Sequence, residues 1–128
     1  METREIDGAT LEIWTTDEVA RGMAEGRIVV IDVRTPQEYM FEHIEGALLM
    51  PLAFFRAEGL PGQSEKRIVL HCGSGGRSER AARAAFAAGI RTIAHMGAGF
   101  KGWKADGLPY TGTDMATGSP KAVPASTK

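Results

Sequence analysis

Apolar residues in this chain occur in short runs of two kinds that alternate along the sequence. Continuous β-branched runs, such as IVVIDV at residues 28–33 and RIVLH at residues 67–71, are typical of strands buried on both faces of a sheet. Apolar residues spaced three or four apart, as at residues 78–88, are typical of helices with one buried face. The pattern predicts five strands, at residues 10–14, 28–33, 47–50, 67–71 and 91–95.

The helices between these strands are marked by signals at their ends. Thr15 and Thr35 are each followed three residues later by glutamate, which is the spacing of a capping box, and Pro36 fits the first helical position. Gly26 and Gly89 are the expected stops of the first and third helices. The predicted helices run from residue 15 to 25, from residue 35 to near residue 43, and over residues 78–88 and 100–105, with a helical turn or two at residues 52–57.

Strands that alternate with helices predict an α/β fold with a mostly parallel sheet. A chain of 128 residues is the size of one domain, which we place at residues 1–110. From residue 111 onward the sequence is mainly Gly, Ser, Thr, Pro, Ala and Lys, with little to bury. Residues 111–128 are therefore predicted to be a flexible C-terminal tail.

The composition narrows the classes of partner and the location. A formal net charge of −1 gives no electrostatic reason to expect nucleic acid or an anionic membrane as partner. No apolar run approaches the roughly 18 residues of a membrane span, and the first residues lack the basic and apolar regions of a signal peptide. The single cysteine excludes an intramolecular disulfide and favours a reducing cytoplasm as the location.

The one cysteine, Cys72, starts a glycine-rich loop between a predicted strand and a predicted helix. Functional groups in parallel sheets gather beyond the carboxyl ends of the strands, which is where Cys72 falls. Glycines let backbone N–H groups converge on one point, and the helix N-terminus and an arginine add positive charge. We therefore expect a lowered pKa for the thiol, which makes Cys72 the candidate nucleophile. The candidate binding loop around it consists of Gly73, Ser74, Gly75, Gly76, Arg77 and Ser78.

Other interpretations of this segment are weighed against that one. Cys72 could be a small apolar core residue, as most free cysteines are, although the loop around it favours a reactive thiol. The loop could cradle a phosphate, but it lacks the lysine and the length of a P-loop. Ser74 and Ser78 can donate hydroxyl hydrogen bonds to the sulfur, and Ser78 can equally cap the following helix.

Further polar residues are candidates for a supporting role. Asp32 and Arg34 end the strand at residues 28–33, on the same sheet edge as the loop. They either brace the site, with Arg34 paired to Glu38 or Glu42, or form an ordinary ion pair at a strand end. His43 either lines the pocket or is a hydrogen-bonded structural histidine, and the structural interpretation is favoured.

Four residues outside the loop complete the set of candidates. His71 is expected to pack beneath the loop. Arg80 is expected to be solvated, although it lies near enough to the loop to steer an anion. Phe100 and Trp103 are interpreted as core residues rather than substrate contacts. Three scattered histidines and a single cysteine do not form a recognisable metal site, so no metal is predicted.

Four segments, in order, resemble the single-domain rhodaneses, a sulfurtransferase family. VVIDVRTPQEY at residues 29–39 is similar to the family's Asp-x-Arg segment followed by Glu, and HIEGALLMPL at 43–52 to its His-Ile-Pro-Gly-Ala block. IVLHCGSGGRS at 68–78 resembles its active-site loop, and AGFKGWKADGLP at 98–109 its Gly-Gly…Trp…Gly-Leu-Pro ending. The resemblance covers about residues 11–110. It departs from the family pattern at Glu45, usually proline, at Glu42, often glycine, and at Ala98, which replaces the first glycine of the pair.

The resemblance implies a rhodanese-like three-layer fold with a five-stranded sheet and helices on both faces. It also implies that Cys72 takes a sulfane sulfur from an anion such as thiosulfate, becomes a persulfide, and passes the sulfur to cyanide, a thiol or a protein acceptor. No metal or organic cofactor is implied. Fold-related phosphatases and arsenate reductases have five residues between cysteine and arginine, whereas four separate Cys72 from Arg77. The shorter loop favours a single sulfur atom over a tetrahedral oxyanion.

Two other functions stay open at this point. The chain could be a carrier or sensing module that accepts a persulfide from a partner protein and turns thiosulfate over poorly. Phosphatase or arsenate reductase activity is a weaker alternative, because the loop is short. A binding module without catalysis fits least well, since the nucleophile is present.

Overall fold

The structure is a computed structural model that describes residues 1–126. Its elements in chain order are β1 (Glu2–Ile6), β2 (Ala9–Trp14), α1 (Thr16–Ala24), β3 (Ile28–Asp32), α2 (Pro36–Phe41), β4 (Leu48–Leu49), β5 (Arg67–His71), α3 (Gly76–Ala87), β6 (Thr92–Met96), α4 (Gly99–Ala105), β7 (Tyr110–Thr113) and β8 (Pro120–Val123). Short 3-10 turns lie at Leu52–Phe54 and Ala57–Gly59.

The main sheet has six strands in the order β1-β2-β6-β5-β3-β4. The pairs β2–β6, β6–β5, β5–β3 and β3–β4 are parallel, and only β1 pairs antiparallel, with β2. Because successive side chains of a strand point to opposite faces, β5 contributes to two separate cores. Leu70 packs with the buried face of α3, and Val69 packs with residues of α1 and α4. Helices thus cover both faces of the sheet, and the predicted three-layer α/β fold is confirmed.

The local sequence signals are reproduced closely. Each of the five predicted strands is present, with its ends within one residue of the prediction. Thr15 and Thr35 both accept the hydrogen bond of a capping box from the glutamate three residues on. The third helix begins at Gly76, two residues before the predicted start at residue 78, because Gly75 takes the N-cap position in a left-handed conformation.

Strand β1 is the first element that the apolar pattern does not predict. It is mostly exposed and only Ile6 is buried, so it has no apolar run to mark it. A two-residue turn at Asp7 and Gly8, both with positive φ, joins it to β2. An Asp-Gly pair is a strong hairpin signal, and it could have indicated this strand.

The C-terminal hairpin of β7 and β8 is the second such element. It lies within the residues predicted to be a flexible tail, and residues 127 and 128 are outside the described part of the chain. Backbone bonds join Thr111 to His43, the Thr113 hydroxyl donates to the Phe41 carbonyl, and Ser126 N–H donates to the Gly107 carbonyl. The domain boundary at residue 110 stays a prediction. Across residues 1–126, every helix is too short or too polar to cross a lipid bilayer.

Candidate active site

Cys72 lies directly after β5, at the carboxyl edge of the sheet, where the chain turns into the loop that leads to α3. The side chain is buried, with 1% of its surface exposed, and it belongs to the apolar core on the α3 face. Burial alone is the property of a core cysteine. The polar groups around the sulfur distinguish this cysteine from an ordinary core residue.

Two backbone N–H groups of the loop donate to the sulfur, and the Ser78 hydroxyl lies beside it as an acceptor for the Cys72 thiol. The Gly75 N–H lies 3.1 Å from Cys72 Sγ, the Ser78 N–H lies 3.3 Å away, and the Ser78 hydroxyl oxygen is at 3.6 Å. Burial raises the pKa of the Cys72 thiol, but the hydrogen bonds of the Ser78 hydroxyl and of the Ser78, Gly75 and Ser74 amides outweigh it, so the pKa is lowered overall. The arrangement therefore favours the thiolate.

The glycines of the loop permit a close contact with the turn between β6 and α4. Gly75 has a φ of +108°, and a Cβ on it would stand 2.5 Å from the Gly97 carbonyl oxygen. A Cβ on Gly99 would collide with the Gly73 carbonyl oxygen. The start of α4 also binds the loop directly, because Phe100 N–H donates to the Cys72 carbonyl at 2.8 Å. The backbone of the loop thus packs directly against the backbone of the turn between β6 and α4, and this contact holds the loop in shape.

Arg77 is paired with a carboxylate instead of standing free over the sulfur. Its guanidinium forms a bidentate ion pair with Glu38 of α2, at 2.7 and 3.0 Å, and folds across Gly73. The hydrogen bonds from Arg77 lower the pKa of Glu38 to about 2, and Glu38 in turn raises the pKa of Arg77. The full positive charge that Arg77 is expected to add beside the sulfur is therefore shared with Glu38. The ion pair ties the loop to α2.

Asp32 and Arg34 form a buried ion pair with each other. The guanidinium donates to both Asp32 carboxylate oxygens at 2.8–3.0 Å, and a further bond reaches the Glu42 carbonyl at 2.7 Å. The predicted pairing of Arg34 with the Glu38 or Glu42 carboxylate is wrong, because Glu38 binds Arg77 and the Glu42 carboxylate binds a lysine, Lys104. Asp32 lies only two residues before Arg34 in the chain, so this ion pair forms at the end of one strand.

The histidines near this edge have structural contacts. His71 is fully buried below Cys72, with Nδ1 3.2 Å from the Cys72 carbonyl oxygen and Nε2 3.5 Å from an Asp32 oxygen, and burial lowers its pKa. His43 stacks on Tyr39 with ring centroids 4.0 Å apart, and its Nδ1 is 2.7 Å from the Tyr39 carbonyl oxygen. These contacts match the structural interpretation of His43 and do not bring it to the loop.

Two contacts of the loop were not anticipated. His95, near the end of β6, places Nδ1 2.8 Å from the Ser78 hydroxyl oxygen, and both side chains are buried. Ser78 is the third residue of α3 and its hydroxyl donates to the Gly75 carbonyl, so the interpretation of Ser78 as the helix cap is wrong. No local sequence signal marks His95. Its contact with Ser78 depends on the pairing of β6 with β5, in which His95 lies beside Leu70.

A cleft of about 630 Å³ opens beside the loop. Its lining includes the cations Arg34, Arg77 and Arg80 and the apolar residues Leu52 and Phe54. We refer to this space as the cleft. Within residues 1–126, no cluster of three or more His, Cys, Asp or Glu side chains is arranged to hold a metal ion.

The fold agrees with comparisons to known proteins. The family model Rhodanese-like domain matches residues 15–106, and the chain belongs to that family. It is 37% identical over 89 residues to the uncharacterized protein slr1261 of Synechocystis, covering 70% of this chain. It is 33% identical over 92 residues to thiosulfate sulfurtransferase 16, chloroplastic, of Arabidopsis thaliana, covering 62% of this chain and 76% of that protein.

A solved structure extends the comparison to the fold. The human single-domain sulfurtransferase TSTD1 superposes with a TM-score of 0.64 at 21% identity, covering 73% of this chain and 95% of that one. The chain spans 50% of the slr1261 protein and 20% of another curated relative.

Proposed function

We propose that this domain is a sulfurtransferase that carries a sulfane sulfur as a persulfide on Cys72. The observation that supports this most directly is the convergence of the Gly75 and Ser78 N–H groups on the sulfur, at 3.1 and 3.3 Å. Donors aimed at one atom stabilise negative charge there, and a thiolate is the form of cysteine that attacks sulfur. The sulfurtransferase names of relatives such as the Arabidopsis protein are consistent with this chemistry.

The proposed first half-reaction uses thiosulfate or a related donor. The Cys72 thiolate attacks the sulfane sulfur, a new S–S bond forms, and the bond between the two donor sulfurs breaks. Sulfite leaves with the electron pair of that bond, and the enzyme keeps a persulfide anion. The charge on the enzyme is unchanged, so the Ser74, Gly75 and Ser78 N–H groups that stabilise the thiolate can stabilise the terminal persulfide sulfur as well.

The second half-reaction returns the enzyme to its thiolate form. A nucleophile such as cyanide or a thiolate attacks the terminal sulfur, and the persulfide S–S bond breaks with its electrons on Cys72. Cyanide becomes thiocyanate and a thiolate becomes a persulfide. Since Cys72 is the only cysteine in the sequence, the acceptor is external to this chain.

The cleft is the proposed binding place for the donor and the acceptor. Arg77 shares its charge with Glu38 and Arg34 with Asp32, whereas Arg80 is exposed and has no ion-pair partner within residues 1–126. Arg80 therefore supplies the unshared positive charge in the cleft that attracts an anionic donor. Asp32 and Arg34 are proposed to brace the edge of the sheet, and His43 to hold α2 to the C-terminal hairpin.

The test is the intact mass of the protein after incubation with thiosulfate and removal of excess reagent. We expect the wild type to gain the mass of one sulfur atom, and cyanide to remove it with release of thiocyanate. Cys72→Ser, checked for native circular dichroism, should gain nothing. A wild type that stays unmodified would contradict thiosulfate as the donor.

A persulfide carrier is the alternative that the Arg77–Glu38 ion pair favours, because the shared charge leaves the loop less able to attract a free thiosulfate dianion. In that case thiosulfate would fail and a persulfide-bearing protein would load Cys72. If neither donor loads the cysteine, sulfur transfer is contradicted. Hydrolysis of an aryl phosphate that is lost in Cys72→Ser would then support phosphatase chemistry instead.

A further inference from the structure

A buried chain of hydrogen bonds leads from Cys72 through Ser78 to a histidine that the reaction proposed above does not use. Ser78 Oγ lies 3.6 Å from Cys72 Sγ and 2.8 Å from His95 Nδ1. Ser78 is completely buried and His95 is 5% exposed. Cys72 directly follows β5, Ser78 lies in α3 and His95 lies in β6, so three consecutive elements of the chain meet at this point.

The single proton of the Ser78 hydroxyl limits what this chain can do. A hydroxyl donates one hydrogen bond and can accept two, and the Gly75 carbonyl at 3.1 Å is a further acceptor for that proton. When Cys72 is a thiol, its S–H can donate to Ser78 Oγ. When Cys72 is a thiolate or a persulfide anion, the sulfur only accepts, so a hydrogen bond between the two groups requires Ser78 to turn its proton from the Gly75 carbonyl to the sulfur. Ser78 Oγ is then free to accept from His95.

We propose that His95 is a positioning residue that donates its Nδ1–H to Ser78 Oγ and thereby directs the Ser78 proton to the Cys72 sulfur. Chained donors polarise one another in a dry environment, so a donor behind Ser78 strengthens the hydrogen bond on the anionic sulfur. The part that concerns the persulfide rests on the proposed function. The part that concerns the thiolate is measurable without any sulfur donor.

The surroundings of His95 favour the neutral ring over the charged one. Across the sheet it faces Ile13 on β2 and Leu70 on β5, which are apolar. The charged groups that act on it are Glu79 of α3 and Arg4 of β1, which pair with each other at 2.6 Å and oppose each other's effect. Burial is the largest influence and lowers the pKa of His95, so the ring is uncharged at neutral pH.

The test follows the ultraviolet absorbance of the Cys72 thiolate as a function of pH, with Cys72→Ser as the blank. The single cysteine makes the signal unambiguous. We expect His95→Leu to move the titration to higher pH and to reduce the thiolate fraction below the midpoint by about five- to tenfold, as loss of a hydrogen bond supporting a charged group predicts. His95→Asn should restore most of the thiolate, because its side-chain N–H can occupy the place of Nδ1–H.

Two further variants separate positioning from a general structural effect. Ser78→Ala should shift the titration at least as far as His95→Leu, and adding His95→Leu to Ser78→Ala should produce no further shift. The inference is overturned if His95→Leu titrates like the wild type, or if it shifts the titration equally when Ser78 is absent. If His95→Leu shifts the titration as expected but thiosulfate does not load the wild type, His95 keeps this role and only thiosulfate is removed as the donor.

Discussion

Gly75 holds the loop in a backbone conformation that few other residues adopt. Its φ is +108° and a Cβ would stand 2.5 Å from the Gly97 carbonyl oxygen, in backbone that cannot easily move away. We expect Gly75→Ala to destabilise the protein by about 2 kcal/mol or more. Turnover of thiosulfate should fall as well, because the Gly75 N–H that reaches Cys72 is displaced. Urea unfolding and thiocyanate formation measure the two effects.

Gly76 provides the matched control for that substitution. It is the next residue along the chain and begins α3, but its φ is not positive and no atom lies within 4 Å of the place of a Cβ. We expect Gly76→Ala to be neutral or to stabilise by up to about 1 kcal/mol, since alanine restricts the unfolded chain. Equal losses in the two variants would contradict the conformational explanation.

Helix α2 is joined to the loop through the ion pair of Glu38 with Arg77. The pKa of Glu38 is lowered to about 2 from a usual 4.5, so the ion pair stabilises the fold above about pH 4.5 and this contribution is lost as the pH falls toward 2. The Glu38 side chain is 37% exposed, which limits the expected gain to about 0.5–1 kcal/mol. Glu38→Gln, which can still accept in the capping box, should therefore be less stable than the wild type at pH 7 and equal to it near pH 2.

The thermal midpoint between pH 2 and pH 7 measures this difference. In the Arg77→Gln background the partner of Glu38 is missing, and Glu38→Gln should then cost much less at pH 7. A loss that is the same at every pH, or that persists without Arg77, would show that the capping box and not the ion pair is responsible.

Helix α3 carries Arg80 into the cleft and Arg83 away from it. Arg80 has no ion-pair partner within residues 1–126, whereas Arg83 pairs with Glu79 on the same helix at 3.0 Å. We expect Arg80→Ala to raise the KM for thiosulfate by about three- to tenfold with kcat nearly unchanged, because one exposed charge attracts the donor before chemistry begins. The effect should shrink as salt is added.

Arg83→Ala is the matched control, since it removes the same charge from the same helix outside the cleft. Its KM should stay within about twofold of the wild type, as expected for a screened, exposed charge. If the two variants raise KM equally, the net charge of the protein and not the cleft attracts the donor.

Across the whole molecule, sequence prediction succeeds where the signal is local. The five parallel strands, both capping boxes and the cysteine loop each depend on residues close together in the chain. The contacts of Arg77 with Glu38 and of Ser78 with His95 join residues 39 and 17 positions apart, and they depend on the order of the strands in the sheet. Strands β1 and β8 are mostly exposed and β7 is mostly half-buried, so no apolar periodicity marks them.

The C-terminal hairpin gives the last prediction, which concerns the whole fold. With Trp103, Tyr110 and Val123 in its lining, a cavity of about 430 Å³ lies beneath β8, and it shares no lining residue with the cleft. A chain that ends at Thr113 loses the Val123 side of this cavity. We expect it to unfold about 1–2 kcal/mol more easily, which is the scale of one partly buried valine and its backbone pairing.

Loading of Cys72 with sulfur should be unchanged in the shortened chain, because the loop and the cleft are built from residues before it. Val123→Ala should reproduce part of the loss of stability, whereas Met115→Ala, at a position 80% exposed, should have no effect. Urea unfolding followed by the fluorescence of Trp14 and Trp103 measures the stability, and intact mass measures the loading. If the shortened chain is as stable as the full one, residues after 113 act as the flexible tail that their composition predicts, and the hairpin contributes nothing to the fold.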